Sequence, residues 1–133
     1  MMKSTILHTN FNVLDLQKSL AFYEKAVGLT EKRRKTAADG SFIIVFLGDG
    51  ESSCELELTW LADRKEPYDL GDEEFHLAVK MDDLGKARLI SFMKKWAVSA
   101  MKIRRWGFIL LRIRTAIGLK YYKAVYKLSV GTE

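Results

Sequence analysis

The order of periodic segments in the first sixty residues constrains the fold more strongly than any other feature of this chain. Residues 6–13 and 54–60 alternate as β-strands do, and residues 29–37 and 41–47 form two further strand-like segments separated by an Asp39-Gly40 turn. Asp15 and Gly28 are suited to cap the two ends of a helix. One face of that helix is marked by Leu16, Leu20, Tyr23 and Val27. The sequence therefore predicts a strand, a helix and then three strands.

The same order starts again after a polar loop at residues 63–74. Residues 75–80 alternate like a strand, and Asp82 or Asp83 can cap a second helix. The apolar face expected for that helix consists of Leu89, Met93, Trp96 and Ala100. After Lys102 no period is clear, so no strand is predicted there. We expect one domain over residues 1–133, with a first module at 1–62 and a second at 70–133.

The charge of the chain is divided between its two parts. Residues 1–83 carry sixteen acidic and ten basic side chains, a net charge of −6. Residues 84–133 carry twelve basic side chains and one acidic side chain, Glu133, a net charge of +11. Because folded domains normally interleave the two signs, this division calls for an explanation.

The composition indicates a globular chain, with 48% hydrophobic and 29% charged residues. No segment has the length and apolarity of a membrane span, and the first residues lack the apolar core of a signal peptide. The single cysteine, Cys54, cannot form an internal disulfide, so we expect a cytoplasmic protein. Cys54 falls in a strand-like segment, and we expect it to be a small core residue.

The chain has two histidines, His8 and His76, and each falls in a predicted strand on the face away from the bulky apolar side chains. Glu57 occupies the corresponding face of the fourth strand. Two imidazoles and one carboxylate are a common ligand set for a divalent first-row metal ion. The alternative is that the histidines are ordinary surface or core residues and that Glu57 is a solvated strand residue.

Six short motifs resemble, in order and spacing, the first part of glyoxalase I (lactoylglutathione lyase). They are Ile6-Leu7-His8-Thr9, Val13-Leu14-Asp15-Leu16, Ser19-Leu20-Ala21-Phe22-Tyr23, Glu57-Leu58-Thr59-Trp60, Tyr68-Asp69-Leu70-Gly71 and Phe75-His76-Leu77-Ala78. The resemblance extends to about residue 83. This family belongs to the vicinal-oxygen-chelate superfamily, and the resemblance implies an α+β fold of paired βαβββ modules, here with an aberrant second module.

The resemblance also implies a site and a reaction. His8, Glu57 and His76 would be ligands of Ni²⁺ or Zn²⁺, in a homodimer whose sites are shared between subunits. The substrate would be the hemithioacetal of methylglyoxal and a thiol, which the metal polarises while a glutamate moves a proton between neighbouring carbons. The product would be an S-lactoylthiol.

The chain departs from the family pattern at three places. Asn12 stands where glutathione-using relatives often carry an arginine, which makes it a candidate substrate-binding residue, and Leu61 stands where they often carry an asparagine. The family's last ligand, a glutamate that is also a catalytic base, has no counterpart between Asp83 and Glu133. We therefore expect impaired turnover. The alternative is a non-catalytic binding protein of the antibiotic-resistance type, which shares this fold.

The genetic code offers a test of the last third of the chain. Reading the third base of each codon with the first two bases of the next codon gives a second reading frame. In that frame the codon that spans Trp96–Ala97 must encode glycine, the one that spans Met101–Lys102 glutamate, and the one that spans Trp106–Gly107 glycine. From Arg105–Trp106 to Leu119–Lys120 the code permits Met-Gly-Ile-Tyr-Phe-Ile-Glu-Asp-Pro-Asp-Gly-Tyr-Trp-Ile-Glu, which resembles the family's closing motif. We infer a frameshift between about codons 79 and 92. A wrong frame would also explain the unbalanced charge.

Two other interpretations of the basic segment are less well supported. Basic residues interleaved with Trp96, Trp106, Tyr121 and Tyr122 would suit a nucleic-acid-binding arm or a membrane-surface helix. However, the basic residues form no clean polar face, and no nucleic-acid-binding motif is present. We expect neither nucleic-acid nor membrane binding.

Overall fold

The computed structural model describes residues 2–69, 76–81, 87, 91, 99–103, 108–112 and 123–128. Its elements are β1 (His8–Val13), α1 (Leu16–Phe22), a π-helical turn (Tyr23–Val27), β2 (Thr30–Thr36), β3 (Phe42–Gly48), β4 (Glu55–Leu61), β5 (His76–Met81), β6 (Ser99–Ile103), β7 (Phe108–Arg112) and β8 (Lys123–Leu128). The predicted order of a strand, a helix and three strands is therefore confirmed for the first 61 residues.

The first four strands form one sheet with the order β1-β4-β3-β2. β1 pairs with β4 in parallel, while β4 with β3 and β3 with β2 pair antiparallel. The parallel pair requires a long crossover, which α1 and the two intervening strands supply. This register places His8 beside Glu55 and Asn10 beside Glu57.

The helix begins and ends at the predicted residues. The Asp15 carboxylate accepts a hydrogen bond from the backbone N–H of Lys18 at 3.0 Å, as an N-cap does, and this bond lowers the pKa of Asp15. Gly28 has a φ of 86°, the left-handed conformation that only glycine adopts without strain. The backbone N–H of Leu29 then bonds to the carbonyl of Tyr23 at 3.0 Å and closes the helical segment.

The core lies between α1 and the first sheet. Ten buried residues form one cluster, from β1, α1, the π-helical turn, β3 and β4: Phe11, Val13, Leu16, Phe22, Tyr23, Ala26, Val45, Leu47, Leu56 and Leu58. Leu77 and Val79 of β5 pack against this cluster. Odd-numbered residues of β1 and even-numbered residues of β4 thus point into the core, which leaves their neighbours on the opposite face.

The last strand-forming segments were not all predicted. β5, β8, β7 and β6 form a second sheet in that order, with β5 and β8 parallel and the other pairs antiparallel. The sequence placed no strands after Lys102, and the structure adds β7 and β8 there. The prediction of Ala100 on a helical face is wrong, because Ala100 lies in strand β6. Backbone pairing does not require alternating side chains, so these strands carry no sequence signal. Ala87 and Ser91 are helical and exposed.

Several other sequence expectations concern residues outside the described part of the chain. They are the caps Asp82 and Asp83, the helical face at Leu89, Met93 and Trp96, and the terminal carboxylate Glu133. The module boundaries at residues 62 and 70 stay predictions. Within the described residues, no helix has both the length and the apolar character required to cross a membrane.

Cys54 corrects another expectation from the sequence. It was predicted to be a small core residue, but its thiol-bearing side chain is exposed. β4 begins one residue later, at Glu55, so Cys54 belongs to the turn before the strand and not to the alternating pattern. The carbonyl of Cys54 accepts a hydrogen bond from the Ser52 hydroxyl at 3.2 Å, which is a turn contact.

Candidate functional site

A row of polar side chains crosses the face of the first sheet that is turned away from α1. His8 and Asn10 come from β1, and Glu57 and Thr59 come from β4 between them and β3. Because β1 and β4 are parallel, residues distant in sequence lie side by side. We call the residues His8, Asn10, Glu57 and Thr59 the polar row.

His8 and Glu57 are in direct contact. The Nε2 atom of His8 lies 3.1 Å from the Oε2 atom of Glu57. The two side chains differ in exposure, at 40% for His8 and 13% for Glu57. The imidazole is therefore accessible to a ligand from solution, while the carboxylate is held at the base of the site.

The second oxygen of Glu57 is also engaged. Its Oε1 atom lies 3.2 Å from the Thr59 hydroxyl, which lies 2.8 Å from Oδ1 of Asn10. The hydroxyl has one proton, so Thr59 donates to one of these two acceptors at a time. Nδ2 of Asn10 donates to Oδ1 of Asn12 at 3.0 Å. Asn12, the candidate substrate-binding residue, is thus linked to the His8–Glu57 pair through one chain of polar contacts.

A second group of side chains borders the polar row on the β2 side. The guanidinium carbon of Arg33 lies 3.3 Å from the centroid of the Phe46 ring, and Nη2 of Arg33 lies 2.6 Å from Oε2 of Glu55. The Phe46 ring meets the His8 ring edge to face, with centroids 5.5 Å apart and an interplanar angle of 81°. The Phe46 ring therefore contacts both a cation and the imidazole.

These neighbours of His8 were not found from the sequence. β2 reads as a run of charged residues, and all seven of its residues are exposed. The register shifts between Glu31 and Arg33, where Lys32 forms a bulge, and only after that shift does Arg33 pair with Phe46. A bulge of one residue changes which side chains share a face, and nothing in the local sequence indicates its position.

His76, the third predicted ligand, lies at the first position of β5, and its side chain lies outside the described residues. Among the described side chains, no group of three or more His, Cys, Asp or Glu residues is placed to hold a metal ion. The structure thus brings two of the predicted ligands together, and the third stays a prediction.

The geometry of the described pair fits a divalent metal ion. Zinc binds imidazole nitrogen and carboxylate oxygen at about 2.0–2.2 Å in a tetrahedral arrangement, so two such atoms on one ion lie about 3.4 Å apart. The 3.1 Å separation between His8 Nε2 and Glu57 Oε2 is a hydrogen-bond distance, and a small movement of either side chain would bring both atoms onto one ion. One nitrogen and one oxygen donor are also the donor types that nickel and zinc accept.

The described carboxylates whose pKa is lowered lie outside the site: Asp15 caps α1, Glu31 pairs with Arg34, and Asp39 and Asp49 stabilise turns. The Ser41 hydroxyl donates to Asp39 at 2.7 Å and lowers the pKa of that carboxyl. The backbone N–H of Ser52 donates to Asp49 at 2.8 Å and lowers the pKa of that carboxyl as well.

A cavity of about 380 Å³ between α1 and β2 is lined by Leu20, Glu24 and other residues, none of them a predicted ligand.

Comparison with known proteins gives several relatives. The family described as Glyoxalase/Bleomycin resistance protein/Dioxygenase superfamily matches residues 5–89. The lactoylglutathione lyase of Neisseria meningitidis serogroup A is 43% identical over 86 residues, which cover 62% of this chain and 60% of that relative. The lactoylglutathione lyase of Haemophilus influenzae is 37% identical over 83 residues, 59% of each. The chain thus spans about three-fifths of the length of these curated relatives.

Solved structures show a similar fold over nearly the whole chain. The trypanothione-dependent glyoxalase I of Leishmania major has a TM-score of 0.74 and 23% identity, and the alignment covers 95% of this chain and 87% of that one. The fosfomycin resistance protein FosX of Mesorhizobium loti has a TM-score of 0.68 and 15% identity, with 97% and 94% covered. The α+β fold implied by the six motifs is thereby confirmed. The chain belongs to the Glyoxalase/Bleomycin resistance protein/Dioxygenase superfamily.

Proposed function

We propose that this chain is a metal-dependent glyoxalase of the lactoylglutathione lyase type. The observation that carries the proposal is the pairing of His8 Nε2 with Glu57 Oε2 at 3.1 Å. Two residues that belong to different family-like motifs lie close enough there to bind one metal ion together. Relatives named lactoylglutathione lyase, at 43% and 37% identity over the first part of the chain, support the choice of reaction.

In this proposal His8, Glu57 and His76 hold Ni²⁺ or Zn²⁺. The bound ion supplies Lewis acidity toward the two vicinal oxygens of a methylglyoxal–thiol hemithioacetal. Thr59 and Asn10 orient the Glu57 carboxylate, and Asn12 at the end of their hydrogen-bond chain contacts the substrate. The protein acts in the cytoplasm as a homodimer.

The chain as translated lacks the general base. No glutamate occurs after Asp83 until Glu133. Glu55 is the nearest alternative on the same strand as Glu57, but Arg33 holds its carboxylate at 2.6 Å. That contact occupies Oε2 of Glu55 and ties the side chain to β2, so Glu55 is poorly placed to take a proton from a bound substrate. We therefore expect metal and substrate binding with impaired isomerisation to the S-lactoylthiol.

We attribute the missing glutamate to a frameshift between about codons 79 and 92. The family match ends at residue 89, which falls inside this interval. The adjacent frame permits the family's closing motif, including its last glutamate, at codons 105–120. Sequencing the gene across codons 79–92 tests this proposal, and an uninterrupted frame confirmed in independent isolates of the gene would contradict it.

Metal titration tests the proposed site. Isothermal titration calorimetry with Ni²⁺ and with Zn²⁺ compares the wild type with His8→Ala, Glu57→Gln and His76→Ala. Each variant should lose more metal affinity than the roughly 10–100-fold that is lost when a residue that only supports a metal ligand is substituted. Glu31→Gln is the matched control, because Glu31 is paired with Arg34 at 2.6 Å, away from the polar row, and should bind as the wild type does. Equal affinity in His76→Ala and the wild type would remove His76 from the ligand set.

A non-catalytic binding protein of the antibiotic-resistance type is the second candidate. The absence of a glutamate between Asp83 and Glu133 favours it, since binding requires no base. A turnover assay on hemithioacetals of several thiols, run beside fosfomycin and bleomycin binding assays, separates the two functions. Antibiotic binding without hemithioacetal turnover, even in a frame-restored protein, would favour this candidate.

A further inference from the structure

We propose that Arg33 and Phe46 are positioning residues that orient the His8 imidazole toward Glu57. This inference rests on the proposed metal site. It concerns three side chains from three different strands, β2, β3 and β1, which meet on one face of the sheet. The family-like motifs include His8 but neither Arg33 nor Phe46.

The register places these side chains next to one another. Phe46 is the Cα partner of Arg33 on one side and of Glu57 on the other. The Phe46 ring is 8% exposed and therefore occupies a defined place in the packing. From that place it contacts the His8 ring edge to face at 5.5 Å.

Arg33 contacts the same ring. Its guanidinium lies over Phe46 at 3.3 Å, which is within the range of a cation–π contact. Glu55 holds the guanidinium from the side at 2.6 Å, so the cation itself has few orientations available. The order of contacts is therefore Glu55 to Arg33, Arg33 to Phe46, and Phe46 to His8.

His8 needs such support because of its position. It is the first residue of β1 at the edge of the sheet, and 40% of its side chain is exposed. An exposed imidazole rotates about two side-chain bonds and samples several orientations. Glu57 contacts one ring nitrogen, and Phe46 limits the rotation of the ring plane. A ligand that is held in its binding orientation loses less conformational entropy when a metal arrives.

The experiment compares two arginines on the same strand. Arg33→Met removes the guanidinium but keeps an unbranched apolar stem, and Arg34→Met is the matched control, because Arg34 pairs with Glu31 at 2.6 Å and contacts none of the three residues. Phe46→Leu removes the ring. Two measurements are made on each variant: the ring-proton NMR resonances of His8 without metal, assigned with His8→Ala, and the Ni²⁺ or Zn²⁺ affinity by calorimetry.

We expect Arg33→Met to shift the His8 resonances and to weaken metal binding roughly tenfold, at the low end of the range for outer partners of a metal ligand. Phe46→Leu should weaken it by roughly 10–100-fold. Arg34→Met should change neither measurement. Arg33→Lys keeps a cation over the ring and should recover part of the affinity, whereas a purely structural role would show a lowered melting temperature with unchanged His8 resonances.

The outcomes separate this inference from the proposed function. If His8→Ala and Glu57→Gln bind metal as tightly as the wild type, the metal site itself is wrong. If those two variants lose binding while Arg33→Met and Arg34→Met give the same affinity and the same His8 spectrum, the positioning role is wrong and the metal site stands. Because Arg33 is exposed, its substitution leaves the core intact even if Phe46→Leu fails to fold.

Discussion

The two sheets share one strand order and differ in the chemistry of the residues that form them. In each, the first strand lies at an edge parallel to the fourth, and the third and second strands follow antiparallel. The first sheet is drawn from residues 1–62, which carry eight acidic and seven basic side chains and a net charge of −1, and three of the four strands of the second come from residues 84–133, with a net charge of +11. The same strand order can therefore be formed by residues of very different charge. A functional site requires particular side chains in addition to that strand order.

The largest expected effect is on catalysis. Restoring the adjacent frame after about codon 85 should raise hemithioacetal isomerisation by about 10²–10⁴-fold, because it returns the family's general base. The measurement is the initial rate of S-lactoylthiol formation at saturating metal. The control is a frame-restored protein in which the restored glutamate, encoded by the codon that spans Leu119–Lys120, is replaced by glutamine. A wild-type rate equal to the restored rate would show that this glutamate is not the base.

The next largest effect concerns the core behind the first sheet. Leu58→Ala should lower the free energy of unfolding by about 2–5 kcal/mol, because Leu58 is fully buried in the middle of β4 and the truncation leaves a cavity. Urea denaturation followed by circular dichroism measures this change. Lys35→Ala on the exposed edge strand β2 is the control and should change it by about 0.5 kcal/mol or less. Similar losses in both variants would mean that this sheet has no specific core.

A smaller effect is expected at the helix cap of the first module. Asp15→Ala should lower the free energy of unfolding by about 0.5–2 kcal/mol at neutral pH. Folding lowers the pKa of Asp15, chiefly through the hydrogen bond from the backbone N–H of Lys18. The contribution is therefore complete above the unfolded pKa of about 3.9 and is lost as the pH falls through the folded value. Thermal melts of the wild type and Asp15→Ala should give stabilities that converge as the pH is lowered from 7 to 2. A stability difference that stays constant over this range would exclude the cap as the cause.

The smallest effect should distinguish the two sheets by their response to salt. Screening reduces repulsion within residues 84–133, and charge interactions at surfaces are worth about 1 kcal/mol or less. Raising the NaCl concentration should therefore increase the amide protection factors in β7 and β8. Relative to the change in β3 and β4, this increase should be up to roughly fivefold. Hydrogen exchange with mass spectrometry at two salt concentrations measures the ratio. An equal response would show that the charge division does not affect stability.

Local patterns predicted the first module well because each of its boundaries has a physical signal within a few residues. Asp15 and Gly28 bound the helix as expected, and the alternation in β4 placed Leu56 and Leu58 in the core. Cys54 was misplaced because the alternating pattern ran one residue beyond the strand. The sequence also placed His8 and Glu57 on corresponding faces, which the 3.1 Å contact confirms.

The contacts that depend on register could not be predicted in the same way. The approach of Arg33 to Phe46 follows from the bulge at Lys32, and a bulge is decided by the whole hairpin. Likewise, β7 and β8 lack alternation, so their pairing is set by partners far away in the sequence. Family-like motifs end before these strands, which removed the other source of prediction.

The parallel pairing of β1 with β4 also determines when half of the site appears during synthesis. Domains begin to fold from the N-terminal end while the chain is still being made. β1 cannot pair with β4 until residues 55–61 have left the ribosome, and this pairing brings His8 and Glu57 together. Both residues are encoded upstream of codons 79–92, where we place the proposed frameshift. A chain read in either frame therefore carries the same histidine–glutamate pair, and the proposed shift would change only the residues that follow it.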